Sequence, residues 1–209
     1  MKLVVATRSA HKMAEIRQIL GDVQGLELVD LDQAGVAPSP AEDRLEPHDT
    51  FEENARSKAE YFHRVTGLPT VADDSGLEVD ALGGEPGVRS KRLAPEEGLE
   101  GEERDAANNR YLLRLLRDVP PEEWTARYVC VACFVADGEE PRACRGEAPG
   151  VVVSEPRGSG GFGYDPHVLD SALGRTFAEM SAEEKNRRSH RGEAFRQLRE
   201  ALRAAPRSS

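Results

Sequence analysis

Four stretches carry residues whose types and order suit chemistry on a charged ligand. The first is Thr7-Arg8-Ser9-Ala10-His11-Lys12, which follows a short apolar run and leads into helical spacing. Where a strand runs into a helix, free backbone N–H groups and the helix dipole favour an anion. Lys12 adds a point charge suited to phosphate. The same residues also read as Ser9 capping a helix with Lys12 in solvent. The second stretch, Val71-Ala-Asp73-Asp74-Ser75-Gly76, sets two adjacent carboxylates after an apolar run. Burying them without a partner is costly. A magnesium ion satisfies them and keeps waters for a substrate phosphate, and one carboxylate can take a proton from an attacking water. An Asp-rich turn is the other reading, because Asp-Ser-Gly is ordinary turn chemistry. Glu46 and Glu53 are further acids that the fold can bring alongside.

The third stretch is Gly158-Ser-Gly-Gly-Phe162-Gly163-Tyr164-Asp165-Pro166. Its glycines let backbone approach a flat ligand closely. Phe162 offers a face for stacking a base, and Asp165 can accept hydrogen bonds from ring N–H groups. A loop with one anchoring aromatic is the alternative. The fourth is Glu183-Glu-Lys185-Asn-Arg-Arg-Ser-His190-Arg191-Gly192, which offers hydrogen-bond donors before the last helix or else a basic helix surface.

These residues need strands and helices to hold them. Lys2 to Ala6 reads as a buried strand, followed by a helix from about Ser9 with Met13, Ile16 and Leu20 on one face and Gly21 as its stop. Leu26 to Leu31 is a second short strand. Thr50-Phe-Glu-Glu53 has capping-box form, and the helix it opens runs to about Thr66 with Phe51, Ala55, Ala59 and Phe62 inward. Thr70 to Ala72 is a third short strand that ends in the aspartates, and residues 83–98 read as a loop. An amphipathic helix covers Glu102 to Asp118. Residues 125–136 form the longest β-like run, with Asp137-Gly138 turning into a strand near Arg142–Glu147 and another at Val151–Val153. Ser181 opens a second capping box, and a last helix spans roughly Gly192 to Ala204, with a frayed tail at 205–209. The mixed order of strands and helices gives an α/β fold with a partly antiparallel sheet.

The 209 residues suffice for one sizeable core and suggest one domain with two lobes. With 38 acidic and 28 basic side chains the net charge is −10, which argues against coating nucleic acid or an anionic membrane. It leaves room for a small anionic ligand in a local positive pocket. No run approaches the ~18 consecutive apolar residues of a membrane span, and the N-terminal apolar run is too short for a signal peptide, so the expected location is the cytoplasm. Cys130, Cys133 and Cys144 are too few for a disulfide framework. The C-x-x-C pair lies in a strand, where residues three apart point to opposite faces, so all three read as buried structural thiols.

Taken together, the four stretches resemble the inosine triphosphate pyrophosphatase family, the XTP/dITP diphosphatases. The strongest matches are Thr50-Phe-Glu-Glu-Asn-Ala-Arg-Ser-Lys-Ala59, Ala72-Asp-Asp-Ser-Gly-Leu77, Leu82-Gly-Gly-Glu-Pro-Gly87, Gly160-Gly-Phe-Gly-Tyr-Asp-Pro166 and Ser189-His-Arg-Gly192. The resemblance implies an elongated two-lobed fold: a twisted mixed sheet flanked by helices, with the active cleft between the lobes, usually in a homodimer. It implies Mg²⁺-dependent hydrolysis of a purine nucleoside triphosphate to monophosphate and pyrophosphate. Asp74 matches the catalytic proton acceptor and metal ligand, Glu46 the other metal-binding acid, and Ser75 a substrate contact. Thr7 to Lys12 match the segment that holds the triphosphate. Phe162, Gly163, Tyr164, Asp165, Lys185, His190 and Arg191 match base-side and substrate contacts. Glu53, Asn54, Lys58 and Asp73 support them. The chain departs from the family at Ser9, where asparagine is usual, at Arg8, and at Lys91.

Within this resemblance Arg191 is expected to read the base, since it donates to the 6-keto oxygen of hypoxanthine or xanthine and meets adenine's amino group with another donor. Two other classes compete: a Maf-like pyrophosphatase with different base specificity, and a nucleotide-binding regulatory module without turnover. The Phe162 loop and Ser189-His-Arg argue against the first. Glu46, Asp73 and Asp74 together argue against the second, because a pure anion binder gains nothing from acids beside phosphate.

Overall fold

The computed structural model describes residues 1–204; the expected frayed tail at 205–209 lies outside the described residues. Seven strands form one mixed sheet in the order β2-β1-β3-β4-β5-β6-β7. They are β1 (Lys2–Val5), β2 (Glu27–Val29), β3 (Thr70–Val79), β4 (Thr125–Val135), β5 (Arg142–Val152), β6 (Val168–Asp170) and β7 (Arg175–Thr176). β1 runs parallel to both β2 and β3, while β5, β6 and β7 pair antiparallel. Five helices accompany them: α1 (Ala10–Leu20), α2 (Phe51–Thr66), α3 (Gly101–Leu116), α4 (Ala182–Arg188) and α5 (His190–Ala204).

The chain divides into two compact units. One comprises Met1–Asp74, Cys130–Gly146 and, among the described residues, 190–204. Its core pools Leu3, Val5 and Val71 of β1 and β3 with Ala132 and Phe134 of β4, and with the inward faces of α1 (Ile16, Leu20) and α5 (Phe195, Leu198). Ser9 caps α1 and Thr50 caps α2, each side chain accepting a backbone N–H three residues on. Gly146 of β5 is a point of close approach. A Cβ there would lie 2.2 Å from the His190 carbonyl oxygen and 2.5 Å from the Ala194 nitrogen, so strand and helix meet backbone to backbone.

The other unit comprises Ser75–Val129 and Glu147–Ser189. Its core gathers Leu77 and Val79, Leu112 and Leu116 of α3, Trp124, Tyr128, Tyr164, Val168 and Phe177. The capping box at Ser181 forms and opens α4.

The largest departure from the sequence reading is β3. It does not stop at Ala72 in a turn but continues through Asp73-Asp74-Ser75-Gly76 to Val79, nearly all of it buried. Asp and Gly disfavour strands in isolation; here the buried Asp73 carboxylate is met by Lys12 and Arg191 and Asp74 by the Asn54 amide, all from other parts of the chain. The three cysteines are buried and form no disulfide. Burial pushes their thiols up, Cys133 to about 11, so they stay protonated.

Candidate active site

The first unit carries a dense polar cluster around the two aspartates. In a strand, successive side chains point to opposite faces, and these two meet different surroundings. Asp73 is 1% exposed. Its Oδ2 accepts from Lys12 Nζ at 3.0 Å and from Arg191 Nε and Nη2 at 3.3 and 3.2 Å. The Cys130 thiol lies 3.9 Å from the same oxygen. The other oxygen, Oδ1, is buried and accepts no hydrogen bond. Burial alone would raise this carboxyl, but the charges of Lys12, Arg191 and Lys58 more than offset it and hold Asp73 well below the usual carboxylate range.

Asp74 is shifted the other way. Burial and the neighbouring charge of Glu46 push it up to about 6, against the pull of Lys58, Lys12 and a 3.0 Å hydrogen bond from Asn54 Nδ2. Asn54 also clasps both backbone groups of His48, donating to its oxygen at 3.1 Å and accepting its N–H at 2.9 Å. One amide thus ties Asp74 to the loop that carries Glu46. Lys58 donates to the Glu46 carboxylate and to the Asp73 carbonyl oxygen. Burial would raise Glu46, and the charges of Lys58 and Lys12 bring it below its ordinary value. Adjacent carboxyls with opposed shifts are the pattern that separates a permanent anion from a proton acceptor.

The corner before α1 is only partly as expected. Thr7 Oγ1 accepts from the Ser9 N–H at 3.1 Å, and Ser9 Oγ accepts from the Lys12 N–H at 3.3 Å, so both hydroxyls fix the helix start. A pocket of 290 Å³ lies along Thr7, Arg8, Ser9 and Ala10. Ala10 and His11 are exposed. Arg8 is engaged elsewhere: it donates to Asp32 at 2.7 Å, to both oxygens of Glu42 at 2.9 and 3.1 Å, and to the Val36 carbonyl at 2.9 Å. Its guanidinium holds the 32–42 segment in place of a phosphate. Glu53 likewise serves its own helix, accepting from the Thr50 hydroxyl at 2.7 Å on an exposed surface.

Arg191 requires a correction. The residue is 1% exposed, and while Nε and Nη2 face Asp73, Nη1 donates to Glu15 at 2.6 Å. A guanidinium buried between two carboxylates is an anchor, so the keto-purine reading is not assigned to it. His190, beside it at the start of α5, is buried.

The second unit holds the Phe162 loop. Asp165 is 3% exposed, and both its oxygens are taken: Oδ2 by the Phe162 N–H at 2.8 Å and Lys185 Nζ at 2.7 Å, Oδ1 by the Tyr128 hydroxyl at 3.1 Å. It therefore closes the loop, with both oxygens engaged inside the protein. At Gly161, φ is +72° and a Cβ would sit 2.0 Å from Asp165 Oδ2, so this position accepts only glycine. Lys185 stands 4.6 Å from the Phe162 ring centroid in a cation–π contact. Tyr164 is also corrected: its ring is in the core and its hydroxyl donates to the Ser90 carbonyl at 2.7 Å, which makes it a packing anchor. Ser75 follows Asp74 on β3 and is half-buried.

The first unit thus brings together Lys12, Glu46, Asn54, Lys58, Asp73, Asp74 and Arg191, and the second brings together Phe162, Gly163, Asp165 and Lys185. Sequence reasoning missed Glu15, Tyr128, Asp105 and Asn109. The last two hold Gly163 from α3: Asp105 Oδ2 accepts its N–H at 2.7 Å, and Asn109 Nδ2 donates to its oxygen at 2.8 Å. A signal was available, because Asn109 stands in helical phase with the apolar Leu112 and Leu116.

Residues 3–201 match the model of the Ham1 family. The dITP/XTP pyrophosphatase of Shigella flexneri is 45% identical over 204 residues, covering 97% of this chain and 98% of that relative. Among solved structures, a HAM1 protein from Coxiella burnetii superposes with a TM-score of 0.84 at 34% identity, covering 98% of this chain and all of that one. A nucleoside-triphosphatase described as a dITP/XTP pyrophosphatase, from Mycobacterium abscessus, superposes with a TM-score of 0.70 at 38% identity, covering 98% of each chain.

Proposed function

The chain belongs to the Ham1 family, and on that premise we propose that it hydrolyses the non-standard purine nucleoside triphosphates ITP, dITP and XTP to the monophosphate and pyrophosphate. The reading rests on one observation above the others: two adjacent buried carboxyls stand beside Lys12, Lys58 and Arg191 with their proton affinities pushed in opposite directions, Asp73 down and Asp74 up. Phosphoryl chemistry needs charge neutralisation and an aligned water more than covalent help. Lys12 and the N–H groups at the start of α1 take the phosphates. Asp74, raised toward neutrality, takes the proton of the attacking water while Asn54 holds its other side. A P–O bond forms from that water, the α–β bridging P–O bond breaks, and pyrophosphate leaves. Asp73 stays ionised and fixes Lys12 and Arg191.

The residues fit a hard divalent cation. Glu46 and Asp74 repel each other electrostatically, Asp73 keeps a buried oxygen without a hydrogen bond, and every candidate donor is a carboxylate oxygen. Among the described residues no three such side chains converge, so the candidate ligands are the pair Glu46 and Asp74; Mg²⁺ is commonly held by one or two carboxylates together with water and substrate phosphate. Mg²⁺ on Glu46 and Asp74 supplies polarisation of the phosphate oxygens when bound.

The Phe162 ring stacks the base, with Asp165 and Lys185 holding the ring's loop. In this reading residues 1–209 form one two-lobed domain, the enzyme is a cytoplasmic homodimer, and no nucleic acid or membrane takes part. Among the described residues no helix is long and apolar enough to cross a membrane. The test is pyrophosphate release from ITP, XTP, dITP, GTP and ATP, with Mg²⁺ and with chelator. Fast, metal-dependent release from the first three is expected, with GTP and ATP far slower. Equal rates on all five would keep the phosphate chemistry and remove the base selectivity. Binding without release would point to a regulatory module.

A further inference from the structure

We propose that Asp105 and Asn109 of α3 are positioning residues for base binding, acting through Gly163 on the aromatic ring at Phe162; this rests on the reading of Phe162 as the base-stacking residue. The Phe162 backbone is held at both its polar groups by one residue: its N–H by Asp165 Oδ2 at 2.8 Å, and its oxygen by the Asp165 N–H at 3.3 Å. The next peptide is held from a different element. The Gly163 N–H donates to Asp105 Oδ2 at 2.7 Å, and the Gly163 oxygen accepts from Asn109 Nδ2 at 2.8 Å. Asp105 and Asn109 are four apart and so lie on one face of α3. Asn109 Nδ2 also donates to the Asp105 carbonyl at 2.9 Å, which binds the pair to each other.

The chemistry of the pair is matched to the peptide. A carboxylate meets an N–H and an amide NH₂ meets a carbonyl, so the two residues cannot exchange roles. Asp105 is half-buried and Asn109 is buried, which strengthens both bonds relative to water. Their neighbours on α3 hold a separate segment: Asn108 accepts the Ala94 N–H and donates to the Ser90 and Lys91 carbonyls, while Arg104 donates to the Leu99, Ala94 and Glu96 carbonyls. A stacking platform works only if its ring is already placed when the base arrives, because a mobile ring loses that freedom on binding. The α3 pair supplies that preorganisation. The loop's own residues fix one side of Phe162 and leave the Gly163 side to α3.

The test uses the full chain with Asp105→Ala, Asp105→Asn, Asn109→Ala and Asn109→Asp. KM and kcat for ITP are measured with Mg²⁺, and Kd for ITP by calorimetry in chelator, where turnover stops. The expected result for Asp105→Ala is a roughly tenfold rise in KM and Kd, about 1.4 kcal/mol, with kcat within about twofold of the parent. Asp105→Asn keeps an acceptor of the same shape and restores most of the affinity. Asn109→Asp turns an oxygen toward two carbonyls and is the weakest binder of the four. Unchanged Kd in Asp105→Ala and Asn109→Ala would overturn the proposal. So would a fall in kcat with KM unaltered, or a loss of melting temperature that Asp105→Asn fails to rescue, for those mark a merely structural pair. Absence of ITP turnover in the parent would count against the proposed function alone, because the Kd series still judges the α3 pair. A parent that also fails to bind ITP overturns both.

Discussion

Asp73 and Asp165 are both buried carboxylates facing a lysine, at 3.0 Å from Lys12 and 2.7 Å from Lys185. Asp165 has one ammonium, one hydroxyl and one backbone N–H, and both its oxygens are used. Its charge is matched one to one, and the result is a loop of fixed shape. Asp73 gathers Lys12 and Arg191 on a single oxygen and leaves the other without a hydrogen bond. Glu46, Asp74 and Lys58 crowd the same cluster and shift one another's proton affinities. A fully satisfied pair serves geometry; a crowded and incompletely satisfied cluster serves a charged ligand that will complete it.

The comparison breaks most sharply at Asp74. Asp74→Asn keeps an oxygen for Asn54 but cannot accept a proton, so kcat falls roughly 10³-fold, within the range of general-base contributions, while the melting temperature holds. Near-normal turnover would remove Asp74 from the mechanism. The next effect is on stability. Asp73→Asn removes one of the two carboxylates that face the buried Arg191, which cannot discharge and keeps Glu15, and costs about 3 kcal/mol by chemical denaturation, the low end of buried-pair losses. Asp165→Asn removes the carboxylate facing Lys185, but a lysine can release its proton, so the cost is about 2 kcal/mol smaller on the same scale of buried-pair losses. Equal losses would mean that the two carboxylates play the same part. Phe162→Ala comes next, with KM for ITP up roughly tenfold, in keeping with base–aromatic stacking of 1–3 kcal/mol, and kcat little changed; steady-state kinetics decide it.

The smallest effect concerns another buried carboxylate. Burial would raise Asp170, but bonds from Arg188 and from the Leu173 and Ala172 amides bring it below its ordinary value. A depressed folded value stabilises the protein above the unfolded value of about 3.9 and is lost as pH falls through the folded one. Arg188→Met therefore moves the onset of acid unfolding to higher pH, by a fraction of a unit because Arg188 is partly exposed. A pH titration of ellipticity checks this, and an unmoved onset would mean that the two amides suffice.

Local signals were legible in the sequence. Ser9, Thr50 and Ser181 each cap the helix that follows them, because capping is settled within four residues. The run Val71-Ala-Asp-Asp-Ser-Gly76 was misread as the end of a strand because its stabilisation is remote: Lys12 lies about sixty positions before Asp73, and Arg191 lies 118 after it. Arg8 and Arg191 read as substrate contacts, yet whether an arginine faces a ligand or an internal acid depends on Glu42 and Glu15, whose positions no local pattern fixes. Asp105 carries no signal of its own in the sequence, being one more acid near the start of α3, and only the Gly163 N–H that it accepts sets it apart.

Gly146 brings no functional group, yet it governs one. The His190 carbonyl and Ala194 nitrogen fill the space where its side chain would begin, and Arg191 sits between those two residues. In a saturation library selected for turnover, position 146 would behave like a member of the active site and tolerate no replacement, although nothing there touches a nucleotide. Even alanine would push the first turn of α5 outward and carry the guanidinium off Asp73. Substitution maps of this protein would therefore register backbone clearance as though it were chemistry.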